Sequence, residues 1–362
     1  MSSASASAIG IDIGGGTIRA GVVDSKGVIL HLERARTPEK GAPAELAARI
    51  SGLYRALLGA CPDAPPAAIG IALPGVWDRD TGVMQRAVNL PRLEGVDVVE
   101  LFARVCERTV RVETDVLAGG WAQWRAGQRS VERFAYLSFG TGVGGCVILN
   151  GEFVRHTRGG AGQLGHLIVD TSPHAPRCRC GARGCLEALL NGAAVERARS
   201  GGSRRGGRNR RPERRERGTP DAEVVAVRFD VSNPLPADSP PTPHDSPPER
   251  VHSAAGPAAR EALPHRRGPQ RDPPRPIGGR ALATLADALA IGLVQIAHLY
   301  APQVVALGGG VIEHEPQLVV AARDAFTRRR GSLAPPEMRI EPAPLGTNEA
   351  GVIGVAQLAA GW

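Results

Sequence analysis

Three of the six cysteines lie within eight residues of one another, in the sequence CRCGARGC. A histidine, His166, lies 12 residues before the first of them. Three thiolates and one imidazole form a closed tetrahedral donor set, which is typical of structural zinc. A disulfide would leave one thiol unpaired, and cytoplasmic thiols stay reduced. The spacing therefore predicts a zinc site at His166, Cys178, Cys180 and Cys185, against the alternative of three unrelated cysteines.

Three glycine-rich turns follow β-prone runs: DIGGGT at residues 12–17, FGTGVGG at 139–145 and LGGG at 307–310. Glycine lets backbone amides approach phosphate oxygens closely. The first turn lacks the Lys-Ser/Thr of a P-loop and the helix that follows a dinucleotide fingerprint. A single turn could be an ordinary hairpin, but two at matching places in the two halves, with a third after another strand, predict a nucleoside triphosphate between two lobes. The predicted phosphate-binding residues are Asp12, Gly14, Gly15, Thr17, Gly140, Thr141, Gly142, Gly309 and Gly310.

An isolated carboxylate, Asp115, ends the strand-like run VETD ahead of a helix rich in small residues. Such a residue could simply cap the helix. Phosphoryl transfer to a hydroxyl needs one carboxylate to accept the hydroxyl proton and to orient the oxygen. Its place at the junction of the two halves favours Asp115 as the catalytic base.

The elements that would position these residues follow from periodicity. The runs AIGIDI, IRAGVVD and VILHLERA predict a β-meander, and Leu46, Ile50, Leu53 and Leu57 recur at helical spacing. The run RFAYLSFGTGVGGCVILNGEFV predicts a second unit of two strands joined by a glycine turn. The run ALATLADALAIGLVQIAHLY predicts an amphipathic helix. We therefore expect a duplicated α/β fold around a cleft. The predicted lobes are residues 1–118 and residues 119–362, and the zinc loop (166–185) belongs to the second.

Composition excludes several classes of protein. The net charge is +8, but residues 201–280 hold 16 arginines against 10 acids, and aromatic residues are only 4% of the chain. This disfavours nucleic-acid binding, which needs a basic surface and stacking aromatics. We find no apolar run of about 20 residues and therefore expect no membrane helix. The N-terminus lacks the features of a secretory signal, so we expect a cytoplasmic protein.

The segment from 201 to 276 differs from the rest of the chain. Residues 201–280 contain 15 of the 30 prolines, and apolar periodicity is lost there. Such a composition predicts disorder. The chain has 42 arginines and two lysines, so a shifted reading frame of GC-rich coding DNA is the alternative explanation.

Taken together, these motifs resemble the ROK family (repressors, uncharacterised reading frames and sugar kinases). Gly165-His166 and CRCGARGCLE are similar to its Gly-His and Cys-x-Cys-Gly-x-x-Gly-Cys-x-Glu motifs, and VVALGGGV and LGTNEAGVIGVA to its closing nucleotide-binding motifs. The resemblance covers residues 9–196 and 278–361. It implies the two-lobed actin-like ATPase fold, a duplicated ribonuclease H-like unit with an interlobe cleft. It also implies ATP and Mg²⁺ as cofactors, structural Zn²⁺, a sugar substrate and a homodimer or homotetramer.

The resemblance also assigns roles to individual residues. Asp115 takes the place of the catalytic base, and the zinc loop would turn His166 and Glu187 towards the sugar. Three positions depart from the family pattern, with Gln163 in place of Glu, Thr114 in place of Asn, and Gly16 in place of a Thr that comes one residue later, at Thr17. The implied sugar-binding positions are Asn89, Thr114, Gln163, His166 and Glu187.

Three functions remain open from the sequence. The first is an ATP-dependent kinase of a glucose-like hexose or an N-acetylated hexosamine. The second is a degenerate, non-catalytic binder, to which Gln163 and Thr114 point. The third is a sugar-responsive regulator. It is disfavoured because only 11 residues precede Asp12, too few for a helix-turn-helix.

Overall fold

The computed structural model describes residues 6–62, 64–127, 131–155, 161–200, 277–335 and 337–362 of the chain. The predictions made for residues 201–276, disorder or a shifted reading frame, lie outside this part. The described residues form two five-stranded sheets and one short hairpin, with helices packed on both sheets.

The elements of the described residues confirm the predicted meander, the helix through Leu46 and the second strand–turn–strand unit. The strands are β1 (Ser7–Ile13), β2 (Thr17–Asp24), β3 (Ile29–Arg36), β4 (Ala68–Leu73), β5 (Val76–Trp77), β6 (Met84–Arg86), β7 (Arg111–Thr114), β8 (Arg133–Phe139), β9 (Val143–Leu149), β10 (Glu152–Phe153), β11 (Val304–Gly308) and β12 (Arg339–Pro342). The helices are α1 (Pro43–Ala60), α2 (Val98–Cys106), α3 (Asp115–Gly127), α4 (Leu186–Leu190), α5 (Gly192–Arg199), α6 (Gly279–Tyr300), α7 (Gly310–His314), α8 (Gln317–Arg329) and α9 (Thr347–Ala360).

The two sheets have the same topology. Their strand orders are β3-β2-β1-β4-β7 and β10-β9-β8-β11-β12, so in each sheet the first strand lies between its hairpin partner and a crossover strand. β1 pairs antiparallel with β2 and parallel with β4, and β8 pairs in the same way with β9 and β11. This repeat confirms the predicted duplication. It also places one glycine turn at the same edge of each sheet.

The first sheet brings the predicted acidic residues to one edge. Asp12 on β1 is in register with Ala72 on β4, which is in register with Glu113 on β7. Because these three strands are parallel, their carboxyl ends share an edge. Asp115 begins α3 at that edge, directly after β7 ends at Thr114.

Helix α6 departs from the expectation that no segment is apolar enough to cross a membrane. Its 22 residues meet the length and composition of a spanning helix, but half of its most apolar stretch is buried. Leu285, Leu289, Leu293 and Ile296 lie in the core that covers the second sheet. Helix α6 also packs against α8, so the described contacts are those of a core helix.

The C-terminal helix α9 packs on the first sheet, far from it in sequence. A Cβ atom on Gly10 of β1 would lie 2.0 Å from the carbonyl oxygen of Val352 in α9. A Cβ atom on Gly354 would lie 1.7 Å from the carbonyl oxygen of Ala118 in α3. Only glycine permits such backbone contact. Helix α9 therefore packs the C-terminal part of the chain against its N-terminal strand. The predicted lobe boundary at residue 118 stays a prediction.

Candidate functional site

The predicted metal ligands come together in one cluster. His166 ends a single turn of 3-10 helix, Cys178 and Cys180 lie in a tight turn, and Cys185 precedes α4. The four ligand atoms all lie within 4.8 Å of one another. Gly181, with φ of +100°, closes the turn by donating from its amide to the carbonyl oxygen of Cys178 at 3.1 Å.

The spacing of the donor atoms fits a tetrahedral ion better than a disulfide. The Sγ atoms of Cys180 and Cys185 are 3.7 Å apart, and Cys178 Sγ is 3.5 Å from His166 Nδ1. Two sulfur atoms at about 2.3 Å from one tetrahedral zinc ion would be about 3.8 Å apart, whereas a disulfide needs about 2.05 Å. Burial and the neighbouring thiols raise the pKa of Cys185 to about 12. Three thiolates at this spacing therefore need a cation, and the donor set fits zinc.

Glu187 connects this cluster to the second glycine turn. Its Oε2 accepts a hydrogen bond from the Val143 amide at 3.0 Å, and its Oε1 lies 3.6 Å from Cys178 Sγ. A Cβ atom on Gly165 would lie only 1.8 Å from the Val143 carbonyl oxygen. The turn that carries His166 therefore packs directly against the strand that leaves the second glycine turn.

The second and third glycine turns are in contact. A Cβ atom on Gly309, whose φ is +92°, would lie 2.3 Å from the Phe139 carbonyl oxygen, so no other residue fits there without strain. The amide of Gly192 donates to the Gly140 carbonyl oxygen at 2.8 Å. Thr141 is exposed between the flanking glycines, and Gly310 begins α7 beside them. Four of the predicted phosphate-binding glycines, Gly140, Gly142, Gly309 and Gly310, thus lie on two adjoining turns.

Hydrogen bonds within the turn and from Thr37, which follows β3, hold the first glycine turn in place. Its Gly14 amide donates to the Thr17 carbonyl oxygen at 2.9 Å, and the Thr37 hydroxyl donates to the Gly14 carbonyl oxygen at 2.6 Å. A Cβ atom on Gly15 would lie 3.1 Å from Asn89 Cβ. The structure therefore places Asn89, a predicted sugar-binding position, directly beside this turn.

The two acidic residues of this edge influence each other. Burial, and then repulsion by Asp115, raises the pKa of Asp12 to about 7, although Arg19 opposes the shift from 3.7 Å. Burial also raises the pKa of Asp115, whose Oδ1 accepts a hydrogen bond from the Val116 amide at 2.8 Å. Because α3 begins at Asp115 itself and the bond reaches only the next residue, it is not the capping contact that the sequence left open, which runs to an amide two or three residues on. Hydrogen bonds from the Val116 amide and from the backbone amide of Asp115 oppose this rise in the pKa of Asp115, but burial outweighs them.

Two of the three positions that depart from the family pattern, Thr114 and Gln163, differ in burial. Thr114 is buried, and its Oγ1 has no hydrogen-bond partner among the described residues. Gln163 is exposed, and its amide nitrogen lies 3.4 Å from the Ala161 carbonyl oxygen. Gly162, which precedes Gln163, packs against Val116, which follows Asp115.

Sequence reasoning missed two charged residues at this site. Arg19 donates to Asn348 at 2.6 Å and faces Asp12 directly across the β1–β2 hairpin. The hairpin register would have predicted that pair. Glu113 is 1% exposed and contacts Arg79 and Arg155. Its position in the motif VETD gives no sign of these partners.

Two sheets of one topology, each with a glycine turn at the same edge, define the two-lobed actin-like ATPase fold. The sequence matches the ROK family over residues 8–229 and 276–361, and the chain belongs to this family.

Known proteins of two sugar-kinase types are similar to the chain. A glucokinase of Thermotoga maritima is 30% identical over 190 residues, 52% of this chain and 58% of that protein. An N-acetylmannosamine kinase of Escherichia coli is 28% identical over 193 residues, 53% of this chain and 64% of that protein. The match thus spans less than two thirds of either relative. The structure of a ROK hexokinase from Thermus thermophilus aligns with a TM-score of 0.67 at 26% identity and covers 98% of both chains.

Proposed function

We propose that this chain is an ATP-dependent sugar kinase, which transfers the γ-phosphoryl group of ATP to a hydroxyl of a hexose. The observation that carries the proposal is the Asp115 carboxylate. It lies at the sheet edge where Asp12 and the first glycine turn also lie, and burial raises its pKa. The glucokinase and hexosamine-kinase relatives support the reaction class.

Asp115 would act as the general base. Its Oδ2 accepts the proton of the sugar hydroxyl while that oxygen attacks the γ-phosphorus, and the Val116 amide holds Oδ1 in place. A carboxylate whose pKa is closer to the working pH is a stronger base than an ordinary aspartate. Because the attacking oxygen must approach in line with the leaving group, the fixed carboxylate also orients it.

The glycine turns would hold the triphosphate of ATP through their backbone amides. Asp12 and Asp115 would both repel a triphosphate, so a cation is needed between them and the nucleotide. Mg²⁺ bound with ATP supplies that positive charge. Asp12 is the buried carboxylate nearest the first turn, and Arg19 balances part of its charge.

The sugar would bind on the side of His166 and Glu187. His166 would hold the zinc through one ring nitrogen, and its other ring nitrogen could then meet a hydroxyl. Glu187 Oε2 already accepts one hydrogen bond, from Val143, but a carboxylate oxygen can accept a second. Cys178, Cys180 and Cys185 would hold the zinc together with His166, the bound ion would keep the thiols deprotonated, and the loop would then fix both side chains.

Substrate choice would depend on Asn89, Thr114 and Gln163, and both a glucose-like hexose and an N-acetylated hexosamine fit the proposal. We predict that Gln163→Glu moves the preference towards glucose. The reason is that a carboxylate accepts hydrogen bonds through both oxygens, whereas an amide accepts through one. The ratio of kcat/KM for glucose and for N-acetylmannosamine measures the shift. An unchanged ratio would exclude Gln163 from sugar selection.

A non-catalytic binder is the second candidate function, because the buried Thr114 hydroxyl finds no partner in the described part of the chain and replaces the expected amide. We further propose a cytoplasmic protein that works as a homodimer or homotetramer. Reduced thiols favour that compartment because the zinc site needs thiolates.

The test is ADP release in the presence of ATP and Mg²⁺ over a panel of hexoses and N-acetylated hexosamines, with a sugar-free control. The proposal predicts that ADP release depends on at least one sugar. Nucleotide binding without sugar-dependent ADP release would favour the non-catalytic binder.

A further inference from the structure

A buried carboxylate next to the catalytic segment binds two arginines, one that follows an edge strand of the second sheet and one from the β5–β6 hairpin. Glu113, on β7 of the first sheet, is 1% exposed. Arg155, which follows edge strand β10 of the second sheet, donates to both oxygens, at 3.2 Å to Oε1 and 2.5 Å to Oε2. Arg79, between β5 and β6, lies at 3.3 and 3.4 Å from the same oxygens.

The two arginines differ in geometry. Arg155 makes the shorter, two-pronged contact and is 22% exposed, whereas Arg79 is 35% exposed. The Arg155 guanidinium also lies 4.9 Å from the centre of the Phe153 ring, which restricts its motion. A paired, two-pronged arginine fixes orientation as well as charge. The pair of Glu113 with Arg155 is therefore the more rigid of the two.

A second contact joins the same parts of the chain. A Cβ atom on Gly162 would lie 2.6 Å from Val116 Cγ1. Arg155 and Gly162 thus contact Glu113 and Val116, which flank Asp115 on either side. Gly162 directly precedes Gln163.

We propose that Glu113 and Arg155 are positioning residues that hold Asp115 in register with the sugar-binding side of the second sheet. The inference rests on the proposed kinase function. Neither residue needs to touch the substrates. The pair acts by fixing the strand–helix junction from which Asp115 projects.

The test compares Arg155→Met with Arg79→Met, which removes the other arginine from the same carboxylate. Since a displacement of about 1 Å can cost about 10²-fold, we expect Arg155→Met to lower kcat/KM for the sugar about 10²-fold. The KM for ATP should stay nearly constant. Arg79→Met should change kcat/KM by less than about fivefold, the scale of a partly exposed ion pair. Arg155→Lys keeps the positive charge but loses the two-pronged contact, so its kcat/KM should lie between those of Arg155→Met and Arg79→Met.

A double variant distinguishes the loss of positioning from the cost of a buried carboxylate that has lost one of its partners. In Arg155→Met the buried Glu113 keeps only its longer contacts to Arg79, whereas Glu113→Gln with Arg155→Met removes the buried charge, so the double variant should recover thermal stability but not kcat/KM. Recovery of both, or equal kinetic losses in Arg155→Met and Arg79→Met, would overturn the proposal.

If the wild-type protein phosphorylates no sugar, the proposed kinase function is wrong. Hydrogen exchange of the backbone amides then tests separately whether Arg155 holds the strand–helix junction in place. Faster exchange at Thr114 and Val116 in Arg155→Met than in Arg79→Met would support it. Equal exchange would overturn it.

Discussion

The hairpin of β1 and β2 and the hairpin of β8 and β9 occupy the same place in their sheets, but different groups support their glycine turns. Behind the first lie charged side chains, with Asp12, Asp115 and Arg19 near one another. Behind the second lies Glu187, which the cysteine cluster holds. Under the proposed kinase function, the first half would carry the proton chemistry and the second half would position the substrate. Variants in the two halves should therefore fail in different ways.

The largest effect should come from Asp115→Asn. The amide keeps the shape of the side chain but cannot accept the hydroxyl proton, and general-base assistance is worth about 10²–10⁴-fold in rate. We expect kcat to fall by that factor while ATP affinity, measured by calorimetry, stays nearly unchanged. Metal content should also stay at the wild-type value. Full activity in this variant would remove Asp115 from the mechanism.

In the second half, Cys180→Ser should lower both metal content and stability, because binding of a structural metal is coupled to folding. We expect about one zinc per chain in the wild type by elemental analysis and less in the variant. A loss of a few kcal/mol would lower Tm by about 5–10 °C. Cys61→Ser, outside the cluster, is the control and should retain the metal. Folded wild-type protein without metal would refute the zinc site.

Whether a feature could be predicted from the sequence depends on how far apart its interacting residues lie along the chain. The glycine turns and the His–Cys cluster were predictable because their residues are close in sequence and the required spacing is local. Helix α9 on the first sheet and Arg155 on Glu113 were not, because no periodicity links residues that far apart. The raised pKa of Asp12 could not be predicted from the sequence either, because it depends on burial.

Alanine substitutions at the two turns compare the halves directly. A Cβ atom on Gly142 would lie 2.6 Å from Glu187 Oε2, whereas one on Gly16 meets nothing within 4 Å. A flexible carboxylate can move aside, so Gly142→Ala should leave Tm nearly unchanged. It should lower kcat/KM for the sugar by about tenfold, within the roughly 10²-fold that a 1 Å displacement can cost. Equal kinetic losses in Gly142→Ala and Gly16→Ala would contradict the role of Glu187.

The smallest effect concerns pH and stability in buffer without added Mg²⁺. The pKa of Asp12 is about 7 in the folded chain, against 3.8 for the unperturbed group. Between these values the folded state holds the proton and the unfolded state releases it, so Asp12 makes stability fall as pH rises from about 4 to 7. Asp12→Asn should gain stability relative to the wild type over that range, on the order of a few kcal/mol. Urea unfolding at pH 5 and pH 7.5 measures the difference, and parallel behaviour of the two proteins would contradict the burial of Asp12.

The most direct measurement of the central claim is the fate of the γ-phosphoryl group. Phosphorus NMR of the wild-type protein with ATP, Mg²⁺ and the best sugar of the panel should show a sugar phosphate that grows in step with ADP. Asp115→Asn should show neither product on the same timescale. ADP without sugar phosphate, or an equal yield from the variant, would contradict the account.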